Sequence, residues 1–418
     1  MKKKAMTRRE LLHSSAAVGF MAAVPLAIEG LSGCNSRRAS SIRQSNWREL
    51  SVPAGSGGFS PRVGARADGG LILSWLEPTD ESTVALRFSI WDSRGWSKPA
   101  TIAEGRPFSR DRAAAPGVIG LSSKNLIAYW SQRVPIVERE RNEIELYMAS
   151  STDDGGHWAE PALVNRAAAQ PGEDNGYASA APLNETDATL IWLDGRNWET
   201  EKRVALMART VRSDRTMNAT SLLDGDTCTC CSTAIVKTGS GLFAAYRGHT
   251  AENIRDISVT RTVVGNWSQP RVVHGDHWHI EACPVNGPHL AADGDRITVI
   301  WFSAAQDKPE VKLAHSANGG ADFSAPVRVD EGNAIGRAQV VLLPDGSALA
   351  IWLENSSGTA RLLARRVRDD GALEGILELA KGADLGYPHA ARAAGGVLVT
   401  WAERSVASAV HAGLLRIA

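Results

Sequence analysis

Apolar residues recur along this chain in short runs that end on an aromatic. Such runs close at Trp75, Trp130, Trp192, Tyr246, Trp301, Trp352 and Trp401. The steps between these aromatics are 55, 62, 54, 55, 51 and 49 residues, and a near-constant period of this length marks a repeat architecture. Three further strand-like pieces accompany each run. A short one precedes it, as at residues 62–66 and 338–342. An alternating one follows, as at 84–89 and 311–315, and a fourth lies beyond a turn, as at 97–102. Four strands per repeat, Gly-rich turns and almost no helical periodicity predict an all-β chain folded as a single β-propeller of four-stranded antiparallel blades. Seven blades are favoured, with six as the alternative. The last repeat lacks a separate outer strand after 409–417, and residues 47–52 are placed to supply it and close the ring. The propeller is therefore expected to span 47–418.

The turn between third and fourth strands carries its own pattern. Ser151, Asp153, Gly155 and Trp158 fit Ser-x-Asp-x-Gly-x-x-Trp, and Ser316, Asn318, Gly320 and Phe323 form a variant. Asp caps its own backbone in such a hairpin and Gly accepts positive φ. Trp96 and Trp267 end degenerate copies. This turn resembles the Asp-box, or BNR, repeats of the sialidase superfamily, along the whole of 47–418. Asp boxes specify fold better than chemistry.

The first 46 residues read differently. Lys2, Lys3 and Lys4 and the pair Arg8-Arg9 precede a mostly apolar stretch, 16–28, too short to span a bilayer. The arginine pair resembles a twin-arginine export signal. Leu31, Ser32 and Gly33 ahead of Cys34 resemble a lipoprotein cleavage box. The expectation is a signal peptide over 1–33, lipidation at Cys34, a polar tether over 34–46 and a periplasmic or cell-surface location. The membrane would be met only through the lipid anchor. An ordinary signal with an incidental Cys is the alternative.

Composition narrows the function classes. Lys+Arg and Asp+Glu are both 46, so the net charge is zero, which argues against a nucleic-acid partner. No phosphate-binding glycine pattern appears in a strand-to-helix setting. Thirteen of 25 aromatics are Trp. Six of them end second strands and Trp96, Trp158 and Trp267 sit at hairpins, so nine belong to the repeat. Of the remaining four, Trp198 and Trp278 lie on the face where a ligand is expected.

That face follows from topology. In a four-stranded blade the start of strand one and the end of strand two share one face, opposite the Asp-box turn. The polar residues this selects include Arg62, Asp111 with Arg112, Asn175 with Tyr177, Arg337, and Tyr387 with His389. After the second strands come Glu77, Asp194, Arg247 and Glu354. The sialidase resemblance implies roles for some of them. Arg62, Arg247 and Arg337 would clamp a sugar carboxylate, since guanidinium forks bind that group bidentately. Tyr387 would be the nucleophile, assisted by Glu281, with Asp111 as acid/base; sialidases are an exception to the two-carboxylate rule. The order around Arg62 departs from the family motif, and six blades are the family's number.

The least ordinary segment is a cysteine run. Cys228, Cys230 and Cys231 precede the first strand of blade four and Cys283 that of blade five, so the two segments are neighbours. Five of the ten His (His249, His274, His277, His279 and His289) fall in the same stretch. An exported chain most simply forms disulfides from four Cys, although adjacent Cys230 and Cys231 pair with strain. A soft-metal site for Cu or Zn is the competing reading, and free thiols the third. Two functions are thus carried forward. One is a monomeric sialidase-like glycosidase for acidic glycans. The other is a non-catalytic surface propeller that binds a soft metal, a glycan or a protein through the Cys/His-rich face.

Overall fold

The computed structural model describes residues 42–417 apart from 93, 137–140, 166–174 and 405–407. The expected signal peptide and Cys34 lie outside the described residues. Seven antiparallel sheets follow one another along the chain, over residues 59–104, 117–163, 175–227, 234–272, 289–328, 334–382 and 389–416. The fold is a seven-bladed β-propeller, and the six-blade alternative falls. The outer strand of blade seven comes from the start of the propeller. Trp47–Leu50 pairs with Ser408–Arg416, Trp47 opposite Leu415. This closure covers an edge that would otherwise offer unpaired backbone groups.

The repeated aromatic holds neighbouring blades together. Trp130 packs with Ile72, Leu86 and Phe88 of blade one. Trp352 packs with Ile300, Val311 and Leu313 of blade five. Trp75 meets Val410 of blade seven, which completes the circle. A buried indole N–H needs an acceptor, and the chain supplies one. Trp75 donates to Glu77 (2.9 Å), Trp130 to Gln132 (3.1 Å), Trp192 to Asp194 (3.0 Å) and Trp352 to Glu354 (2.9 Å), each two residues on. Trp301 donates to Asp276 (2.7 Å), and the Tyr246 hydroxyl donates to Asp224 (2.6 Å).

The patterned turns of blades two and five each pack on the blade before them. The amide of Gly155 donates to Ser151 Oγ (2.9 Å), and the His157 amide donates to Asp153 Oδ1 (2.8 Å). Gly155 has φ +84°, and a Cβ there would overlap the Phe88 ring of blade one. Trp158 meets that ring edge-on at 5.5 Å. Blade five repeats this arrangement with Ser316, Gly320 and Phe323 against Phe243.

Candidate functional site

On the opposite face, the segments leading into the inner strands meet around one cavity of about 360 Å³. A break in strand register between Gly176 and Ser179 puts Tyr177 at φ +56°. Its hydroxyl donates to Asp111 Oδ2 at 2.7 Å, and Asp111 Oδ1 accepts from the Ala113 amide at 2.8 Å. Burial, then the adjacent Asp111 carboxylate, push the phenol well above its ordinary range, so it carries its proton at neutral pH. Asp111, Tyr177, Asn175, Trp198, Cys230 and Cys283 all line this cavity. Trp198 is 41% exposed.

Tyr177 and Val285 also pack against the three cysteines. Cys228, Cys230 and Cys231 are buried and Cys283 is exposed; all four are free thiols. The closest sulfurs, Cys228 and Cys231, are 3.5 Å apart. Hydrogen bonds from Cys230 and Cys231 hold the Cys228 thiol far below its usual range, and the other two are pushed up. One thiolate is thus favoured on Cys228 and a second is opposed. The histidines of the same stretch go elsewhere. His249 contacts Asp226 (2.7 Å) through one ring nitrogen and Asn253 (3.0 Å) through the other. Among the described residues, the cluster with metal-ligand spacing holds the three cysteines and no imidazole.

The residues assigned from the family resemblance are scattered by function. The Tyr387 hydroxyl donates to the Val285 carbonyl, and the Arg337 guanidinium lies 4.8 Å from the Tyr387 ring centroid. Arg337 also donates to the Leu385 carbonyl (2.8 Å). Arg62 reaches the carbonyls of Ala115 and Ala178, both at 3.4 Å. Arg247 is buried, with its guanidinium on the carbonyls of Asn286, Arg255 and Phe302 at 2.6–3.0 Å and over the Trp278 ring. A guanidinium held this way has no fork left for a ligand carboxylate, so a three-arginine clamp is not assembled. Glu281 is exposed, and among the described residues no hydrogen bond joins it to Tyr387.

The set selected by topology contains Asp111 and Tyr177, which line the cavity, and also residues that serve the scaffold. Glu77, Asp194 and Glu354 serve the buried indoles, and Trp278 is itself buried beneath Arg247. Asp111 and Tyr177 were both in the filtered set, 66 residues apart, but nothing in the sequence pairs them. Arg255, in a loop that sequence places near the same rim, donates to Cys228 Sγ at 3.3 Å, a contact that no local pattern encodes.

The inner strands also bring His289 and His389 into the range of the Arg62 charge. Burial, then Arg62, lower His289 to about 4, and burial lowers His389 further below its ordinary value. Both are neutral when folded, whereas the unfolded chain takes up these protons near pH ~6.5. The unfolded state therefore binds more protons below ~6.5, and stability falls as the pH drops from ~6.5 through ~4. Urea midpoints measured across that window should fall, and fall less in His289→Asn. A flat profile in the unsubstituted protein would refute this.

No family model matches the chain, and no curated protein matches it. Solved structures do. A protein of unknown function from Dyadobacter fermentans aligns over 90% of this chain and 100% of its own, at 13% identity and a TM-score of 0.53. A NanB sialidase variant from Streptococcus pneumoniae aligns over 88% and 70%, at 10% identity and 0.46. The GH93 α-L-arabinofuranosidase of Fusarium graminearum aligns over 90% and 96%, at 14% identity and 0.46. At such identities a likeness is one of fold alone, and only the first, at 0.53, bears on the fold.

Proposed function

We propose that this chain binds a saccharide in the cavity beside Asp111 and acts on it as a glycoside hydrolase, with Asp111 and Tyr177 as the reacting pair. The observation that carries this reading is the 2.7 Å Tyr177–Asp111 hydrogen bond on the wall of a cavity of ligand size. As the Tyr177 oxygen attacks an anomeric carbon, its proton passes to Asp111, which delivers it to the departing glycosidic oxygen; water, deprotonated by Asp111, then cleaves the tyrosyl–sugar bond and returns the phenol. Asp111 keeps the acid/base role expected of it, and Tyr177 supplies the phenol. Tyr387, stacked on Arg337, buttresses the site from behind. Trp198 offers an exposed aromatic face to the apolar side of a sugar ring. Among the described residues that line the cavity there is no Arg or Lys, which favours a neutral glycoside over an acidic one. Exported and held through Cys34, as the N-terminal pattern suggests, the enzyme would meet its substrate outside the cytoplasm.

The test is a panel of fluorogenic neutral glycosides with sialosides as the acidic arm. Turnover confined to neutral substrates is expected. Asp111→Asn and Tyr177→Phe should each lower kcat/KM by about 10²–10⁴-fold with an unchanged melting profile. Sialoside turnover that depends on Tyr387, or activity indifferent to both substitutions, overturns the assignment. Glycan binding with no turnover overturns the hydrolytic step.

A further inference from the structure

The turn before blade four gathers three thiols that the proposed hydrolysis does not use. Cys228 Sγ lies 3.5 Å from Cys231 Sγ and 3.9 Å from Cys230 Sγ, and all three sulfurs fall within 4.8 Å of one another. None is bonded to another. Each of two sulfurs takes a hydrogen bond from behind. The Arg255 guanidinium donates to Cys228 Sγ (3.3 Å) and the Asn286 amide to Cys231 Sγ (3.4 Å). The buried Arg247 guanidinium lies behind the same turn, donating to the carbonyls of Arg255 and Asn286, the two residues that donate to the sulfurs.

We propose that Cys228, Cys230 and Cys231 form a three-coordinate thiolate site for a soft monovalent ion, Cu(I), with Arg247 and Arg255 as its counter-charges.

Distance, charge and coordination number agree on this. With a metal–sulfur bond of about 2.3 Å, a trigonal-planar ion needs sulfurs about 4.0 Å apart (√3 times the bond). The observed spacing requires only small side-chain adjustments. Three thiolates and Cu(I) carry a net charge of −2, which the two guanidiniums cancel at the buried end of the cavity. Zn(II) would leave the same site with a net positive charge. Zinc also takes four ligands in structural sites, and a fourth is not in place. Cys283 is exposed, outside the cluster, with its sulfur 3.7 Å from Thr229 Oγ1. Soft thiolate donors suit Cu(I) as they suit Zn, and a three-sulfur set meets the lower coordination number of Cu(I). The N–H···S bonds from Arg255 and Asn286 orient the ligands as outer-shell partners do. Cys230 and Thr229 line the cavity wall, and Cys283 sits beside them, so the ion has a way in. Binding is an exchange of protons for metal: one Cu(I) enters, each ligand still bearing its proton releases it to solvent, and no electrons move.

The protein, fully reduced and under anaerobic conditions, is titrated with Cu(I) against a chromophoric Cu(I) chelator. One equivalent should leave the chelator, with a thiolate-to-copper absorption in the near ultraviolet. Cys228→Ser and Cys231→Ser should abolish that equivalent, Arg255→Met should weaken it about 10–100-fold, and Cys283→Ser should leave it intact. Copper X-ray absorption on the unsubstituted protein should show three sulfur scatterers, which decides the matter even if a serine variant misfolds. Failure to compete with the chelator, nitrogen in the copper shell, or preferential one-equivalent Zn(II) binding overturns the proposal. A Cys228–Cys231 disulfide that persists under reductant overturns it as well. All these readouts are independent of glycoside turnover.

Discussion

Arg247→Ala is expected to lower the unfolding free energy by at least about 3 kcal/mol. The guanidinium serves three buried backbone carbonyls, of Asn286, Arg255 and Phe302. Each carbonyl left without a donor costs about 1–3 kcal/mol. The ring of Trp278 also loses the cation that lies 4.8 Å from its centroid. Arg247→Lys should not restore the loss, because an ammonium on a flexible stem cannot address three fixed carbonyls from one planar fork. Chemical denaturation would read this as a fall in midpoint at constant m-value. A loss under about 1 kcal/mol, or full rescue by Lys, would show that the residue is not structural. If Arg247 instead clamped a ligand carboxylate, its replacement would raise KM in a protein of undiminished stability.

Trp352→Ala should destabilise by about 3–5 kcal/mol, the range for truncating a buried Trp. Its indole is fully buried among Ile300, Val311 and Leu313 of the preceding blade. Trp352→Phe keeps most of the ring volume and should cost less. The cost that Phe retains relative to Trp includes the lost indole N–H to Glu354 (2.9 Å). In a double-mutant cycle, Trp352→Phe and Glu354→Leu should therefore couple, since neighbouring groups that share a bond are non-additive. Additive losses would mean that Glu354 faces the funnel for another reason. Trp192 packs in the same way on Ile127, Tyr129 and Leu146 of its preceding blade, so a similar loss is expected there; it has the same i+2 acceptor in Asp194.

Much of the scaffold was legible because a propeller repeats its hydrophobic pattern. The aromatic spacing predicted seven four-stranded blades, and residues 47–52 were read as the closing strand that Trp47–Leu50 forms. The Ser151 and Ser316 turns were legible too, since Ser, Asp or Asn, and Gly encode their geometry locally. The site was legible only in outline. The rule that selected the face could not tell Glu77, Asp194 and Glu354, which accept from indoles, from Asp111, which accepts from Tyr177 inside the cavity. Topology assigns all four to the same face, and it says nothing of which buried donor each one meets.

What sequence alone determined is therefore the repeat, the closure and the presence of an unusual cysteine run. Those depend on local periodicity and turn chemistry, which neighbouring residues encode. Only the tertiary structure decided who meets whom across the axis. It placed Arg247 on backbone carbonyls and turned Tyr387 toward the Val285 carbonyl. It gave Asp111 to Tyr177 and set Arg255 behind the three sulfurs. The physical reason is that these partners come from different blades or distant loops. Whether a polar side chain faces a ligand or a buried acceptor is set by what the ring of blades brings opposite it.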